Sequence, residues 1–133
     1  MNIEKIEGIG PKNAAALAKV GVKTTEGLLK AGATKKGRQQ LAEKSRISET
    51  NILGWVNRAD LMRVKGVGEE YSDLLEKAGV DTVKELRNRN AANLWKAMKE
   101  VNDKKNLVRA LPSQSSVEAW VAQAKQLDPV VKY

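Results

Sequence analysis

The segment Ile3-Glu4-Lys5-Ile6-Glu7-Gly8-Ile9-Gly10 returns 58 residues later as Leu61-Met62-Arg63-Val64-Lys65-Gly66-Val67-Gly68. The same spacing carries Leu17 to Leu75, Gly21 to Gly79, Val22 to Val80, Thr24 to Thr82 and Leu28 to Leu86. So many coincidences at one offset mean duplication, and each copy should form the same supersecondary unit. The two glycine pairs are accordingly expected to share one backbone path.

Each copy parses alike. A short helix, about Ile3 to Glu7 and Leu61 to Lys65, ends at a glycine-apolar-glycine turn where glycine can take positive φ. Asn2 and Asp60 are the expected N-caps of these short helices. A longer helix follows, Pro11 to Val20 and Glu69 to Ala78, and Pro11 suits a first turn, where its missing N–H costs nothing. Gly21 and Gly79 end these helices at C′. Thr24 and Thr82 cap a third helix, Thr82 with Glu85 as a capping box. Beyond Leu86 the register slips, yet Ser48, Ile52, Trp55 and Val56 find counterparts in Ser113, Val117, Trp120 and Val121. Two more helices per copy follow, near Arg38 to Lys44 and Glu49 to Asn57, then near Asn93 to Val101 and Val117 to Gln126. Ser115 with Glu118 offers a capping box for the last. Gly32-Ala33-Thr34 and Leu111-Pro112-Ser113 read as internal turns. No segment alternates apolar and polar residues, so no sheet is expected.

Gly8-Ile9-Gly10-Pro11-Lys12, followed by Ala15, Ala16 and Leu17, resembles the helix-hairpin-helix motif of DNA repair and recombination proteins. In that family an apolar residue sits between the hairpin glycines, and small residues on the second helix let the helices pack closely. Ile6, Ile9, Ala14, Leu17 and Val20 fit those roles, as do Val64, Val67, Leu74, Leu75 and Ala78. The whole chain is also similar to an uncharacterised bacterial family of tandem helix-hairpin-helix proteins, which brings no assigned activity. The expected fold is all-α, with two tandem helix-hairpin-helix repeats, residues 1–59 and 60–127, each followed by additional short helices. A tail, residues 128–133, is expected to be loose.

Physically, such a hairpin is a phosphate site. Glycines let backbone approach a ligand, and the N–H groups opening the second helix point outward with the positive end of its dipole. Gly8, Ile9, Gly10, Lys12 and Asn13 are the expected contacts, with Lys35, Lys36 and Arg38 widening the positive footprint. Lys65, Gly66, Val67 and Gly68 form the second candidate site. There Glu69 and Glu70 replace Pro11 and Lys12, satisfy the dipole internally and repel phosphate. Copy two therefore reads as more structural than functional. Contacts of this kind hold the nucleic-acid backbone and read no bases.

The charge pattern agrees. The net charge is +8, with a pI near 9.8, which favours a polyanionic partner. Basic residues gather between Lys30 and Arg46 and again between Arg87 and Arg109, although a solvated helix face would look the same. Trp55, Trp95 and Trp120 sit among apolar neighbours at helical spacing in a chain without Phe. They read as core residues in preference to base-stacking platforms.

With no His and no Cys, the usual zinc sites, imidazole acid–base chemistry and thiol or Ser-His nucleophiles are excluded. No catalytic residue, metal or cofactor is expected, and the chain reads as a binding module and not an enzyme. No run is long enough to cross a membrane, and the first residues lack a signal-peptide pattern, so a cytoplasmic location is expected. The partner is expected to be nucleic acid, with duplex DNA favoured. The alternative is an adaptor that uses the same units to bind another protein.

Overall fold

The computed structural model describes residues 1–133 as eight α-helices and one 3₁₀ turn, without a strand. The chain divides into two compact units. Unit 1 holds Met1–Asp60 with Val130–Tyr133, and unit 2 holds Leu61–Pro129. In unit 1 the 3₁₀ turn Ile3–Lys5 precedes α1 (Gly10–Lys19), α2 (Thr25–Gly32), α3 (Lys35–Ser45) and α4 (Glu49–Leu61). Unit 2 contains α5 (Glu69–Lys77), α6 (Val83–Leu86), α7 (Ala91–Lys105) and α8 (Gln114–Ala124). No helix is long and apolar enough to cross a membrane.

Short polar side chains start most of the helices. Thr24, Thr34, Thr82, Asn90 and Ser113 each accept a backbone N–H three residues on, and Ser48 accepts from Asn51 N at 3.1 Å. Each such cap satisfies an N–H that the helix itself cannot. Asn2 caps the first turn as expected, accepting from Glu4 N at 2.9 Å. Two expected caps are displaced. Asp60 lies buried inside α4, because no glycine or proline interrupts the chain between Trp55 and Leu61. Ser113 starts α8 in place of Ser115 because its extended backbone (φ −69°, ψ 157°) aims its hydroxyl at Ser116 N. Ser115 lies within the helix.

Both long second helices end in one way. Val22 N donates to Leu17 O and Gly21 N to Ala18 O, and Val80 N and Gly79 N repeat this with Leu75 O and Glu76 O. These are Schellman closures, with Gly21 (φ +89°) and Gly79 (φ +97°) at C′ and a buried Leu–Val pair across each.

The expected short first helix is formed only in unit 1, and there as a 3₁₀ turn shorter than expected. In unit 1 the arm is the single 3₁₀ turn, and in unit 2 α4 runs through Leu61 and is followed by turns. The arms nonetheless share a bonding pattern. Ile6 N and Ile9 N donate to Ile3 O and Ile6 O, and Val64 N and Val67 N to Leu61 O and Val64 O. With three residues per turn, side chains three apart eclipse one another. Ile3, Ile6 and Ile9 are thus buried together in unit 1, and Leu61, Val64 and Val67 in the core of unit 2, each at most 4% exposed.

The tail is not loose. Lys132 N donates to Ala33 O at 2.7 Å, Asn57 Nδ2 donates to the Tyr133 hydroxyl at 3.1 Å, and Val131 is buried. These bonds supply the partners that a loose terminus would lack.

Candidate functional site

The first glycine of each pair behaves identically, with φ +92° at Gly8 and +97° at Gly66. Each lies over an indole. A Cβ at Gly8 would stand 3.5 Å from Trp55 Nε1, and one at Gly66 would stand 3.0 Å from Trp120 Nε1. Three residues past each tryptophan, a polar side chain holds the residue before the glycine. Arg58 Nη1 donates to Glu7 O at 3.1 Å. Gln123 grips Lys65 at both ends, accepting from its N–H at 3.0 Å and donating to its carbonyl at 3.2 Å. Trp55 and Trp120 are core residues, 4% exposed, and they also form the floor of each turn. The sequence matched the two tryptophans but gave no sign that they lie beneath the glycines, since that proximity is tertiary.

The second glycines differ. Gly10 takes φ +67°, whereas Gly68 is an extended N-cap at φ −104° and ψ −161°. The expected identity of the glycine pairs therefore holds only at the first position. Gly10 precedes Pro11, whose ring disfavours the right-handed helical region for the residue before it. Glycine can answer with positive φ. Unit 2 has no proline there.

The turn in unit 1 is open. Gly8, Gly10, Pro11 and Lys12 are exposed, Asn13 is half-buried, and the Ile9 side chain is buried so that only its backbone faces outward. No side chain caps α1 and its first turn holds no acid. In unit 2 the first turn of α5 carries Glu69 and Glu70. Asn13 is replaced by Tyr71, whose ring lies 5.4 Å from that of Trp120 and whose hydroxyl donates to Ala110 O at 3.0 Å. That carbonyl belongs to the long α7–α8 connection, which the short α3–α4 connection does not match. Trp95, half-buried, donates to Pro112 O on the same loop at 2.8 Å. Lys65 and Gly66 are exposed, Gly68 is half-buried and Val67 is buried.

The remaining expected residues do not gather at this turn. Arg38 is 4% exposed, and its guanidinium donates to Gly32 O, Ala33 O and Lys132 O at 2.9, 3.1 and 2.7 Å. It joins α3, the end of α2 and the tail, so it is withdrawn from the positive surface. Lys35 and Lys36 are exposed at the start of α3. Lys35 lines a separate depression with Arg38, Glu49, Thr50, Leu53 and Tyr133.

Charge is unevenly divided. Unit 1 holds twelve Lys and Arg against six Asp and Glu, and unit 2 holds twelve against ten. Most of the positive excess thus lies with the open turn. On α2, the Glu26 carboxyl is held below its usual range by the N-terminal ammonium at 3.0 Å, then by a backbone N–H and the Thr25 hydroxyl. Residues 7–127 match the family described as "Domain of unknown function (DUF4332)", and the chain belongs to that family. No solved structure matches the chain.

Proposed function

We propose that this member of a family of unknown function is built on two helix-hairpin-helix units and binds nucleic acid, duplex DNA foremost, through the backbone. Unit 1 carries the site. Amides around Gly8, Gly10 and Asn13 receive a phosphate oxygen at the positive end of α1, and Lys12 adds a cation beside it. Ile9 anchors the turn from below. Lys35 and Lys36 add to the field without touching that phosphate, while Lys65, Gly66, Val67 and Gly68 form a matching turn with a structural role. Chemistry on the nucleic acid is left to other proteins.

The observation that carries this reading is the uncapped, acid-free first turn of α1 behind Gly8 and Gly10, in the unit holding most of the positive excess. An exposed helix start of that kind is a ready anion site. The test is titration of labelled duplex and single-stranded oligonucleotides over a salt series. Affinity should fall steeply with salt and ignore base sequence, and Lys12→Glu should reduce the log–log salt slope by roughly 1. Absent or salt-independent binding would leave the adaptor reading in its place.

A further inference from the structure

Unit 1 has a second opening, away from the hairpin. A groove of about 520 Å³ runs between the end of α1, α2 and α3. Val20, Val22, Ala31 and Leu41 give it an apolar lining, and Lys30 and Lys44 line it with no carboxylate among the lining residues. Both lysines are exposed. The size falls within the roughly 300–1,000 Å³ of ordinary binding sites.

Unit 2 places charged side chains beside its own helix-ending glycine. By the spacing that pairs Gly21 with Gly79 and Thr24 with Thr82, Gly27 corresponds to Glu85, and four residues on from Glu85, past the end of α6 where the register has slipped, stands Arg89. Those two side chains form an ion pair, Arg89 Nε to Glu85 Oε1 at 3.2 Å, while Arg89 Nη2 donates to Gly79 O at 3.1 Å. Unit 1 has glycine at the position of Glu85, and its α2 continues to Gly32 with Lys30 on it.

We propose that this groove docks an acidic, amphipathic segment of a partner protein. Beside Gly79, unit 2 sets a cation paired with a carboxylate of its own. A carboxylate entering unit 1 would find lysines, and an apolar neighbour on the same segment would lie over Val20, Val22 and Leu41. A nucleic-acid backbone would leave that apolar lining unused. This site is separate from the phosphate-binding hairpin, so either could fail without the other.

The test uses the full chain and a display library of short random peptides, with deselection on the double variant Gly27→Glu/Ala31→Arg. That variant sets a Glu–Arg pair at the same i,i+4 spacing on α2, within the groove lining. A side chain at position 27 would meet Thr24 Oγ1 at 3.1 Å, but the equivalent cap in unit 2 tolerates Glu85 with its N–H 3.3 Å from Thr82 Oγ1. Enriched peptides should combine Asp or Glu with Leu, Ile or Val. Synthetic copies should lose affinity about tenfold or more, equivalent to about 1.4 kcal/mol, in the filled variant and in Lys30→Glu/Lys44→Glu. Lys12→Glu should bind them normally, and duplex affinity should survive filling of the groove. Peptides without acids, or equal affinity for the filled variant, would overturn the proposal. So would self-association that filling abolishes, which would make a second copy the occupant. Loss of duplex binding in the filled variant would assign the groove to nucleic acid instead.

Discussion

Units 1 and 2 share a turn and differ in what surrounds it. Each sets its first glycine over an indole and fixes the preceding residue from the same helix, by Arg58 in one and Gln123 in the other. Around that common floor the two units are furnished differently. Glu69 and Glu70 occupy the helix start, Tyr71 covers Trp120 and is tied to the α7–α8 loop, and the Glu85–Arg89 pair spans the space beside Gly79. In unit 1 the positions of Glu69, Glu70, Tyr71 and Glu85 hold Pro11, Lys12, Asn13 and Gly27. Shared buried contacts record what the fold requires. The differences lie at exposed or half-buried positions, where stability imposes less, and on the proposed reading they make unit 1 the half that binds.

The common floor is the easiest part of this comparison to break. Trp55→Ala and Trp120→Ala should each destabilise their unit by about 3–5 kcal/mol, the usual range for deleting a buried ring. Urea unfolding followed by far-UV circular dichroism measures this. A loss below 1 kcal/mol at either site would deny that indole its supporting role.

Arg38 separates structural from surface charge within unit 1. Arg38→Met should cost about 2–4 kcal/mol, because three carbonyls lose a charged donor, whereas Lys36→Met should stay within about 0.5 kcal/mol. In binding assays that correct for folding, neither variant should match the effect of Lys12→Glu. If Arg38→Met left stability intact and weakened duplex binding, the guanidinium would belong to the interface.

A smaller effect, opposite in sign between the units, is expected at the second glycines. Gly10→Ser should cost about 1–2 kcal/mol, since a Cβ resists positive φ. Gly68→Ser should gain roughly 0.3 kcal/mol, because serine is a better N-cap than glycine and Gly68 is already extended. Thermal melts of the two variants compare them directly, and equal losses would mean that Pro11 does not set the difference.

How much of this was legible beforehand follows from where each contact lies in sequence. Caps at Asn2, Thr24 and Thr82 and the Schellman glycines depend on residues within a turn of one another, and local chemistry suffices to place them. Asp60 is polar enough to cap a helix, but no glycine or proline stops α4 before it, and only the tertiary fold shows that choice. Arg38 looked like part of a basic surface because its carbonyl partners lie at Gly32, Ala33 and the distant Lys132. Trp55 under Gly8, Trp120 under Gly66 and the bond from Arg89 to Gly79 depend equally on contacts between separate elements. Lys12 and the acid-free start of α1 were visible from the outset, since a helix N-terminus needs only its own first turn.

The most direct measurement exchanges the two residues that distinguish the turns. Wild type, Pro11→Glu/Lys12→Glu and Glu69→Pro/Glu70→Lys would be titrated against one labelled duplex at two salt concentrations, with melting curves as controls. If the open helix start is the phosphate site, the first variant should lose binding. The second should bind more tightly, provided both turns can reach one duplex, and its salt dependence should steepen by roughly one phosphate contact. Equal affinities for all three folded proteins would contradict a phosphate-binding hairpin and leave the lysine-rich surfaces of α2 and α3 as the remaining contact.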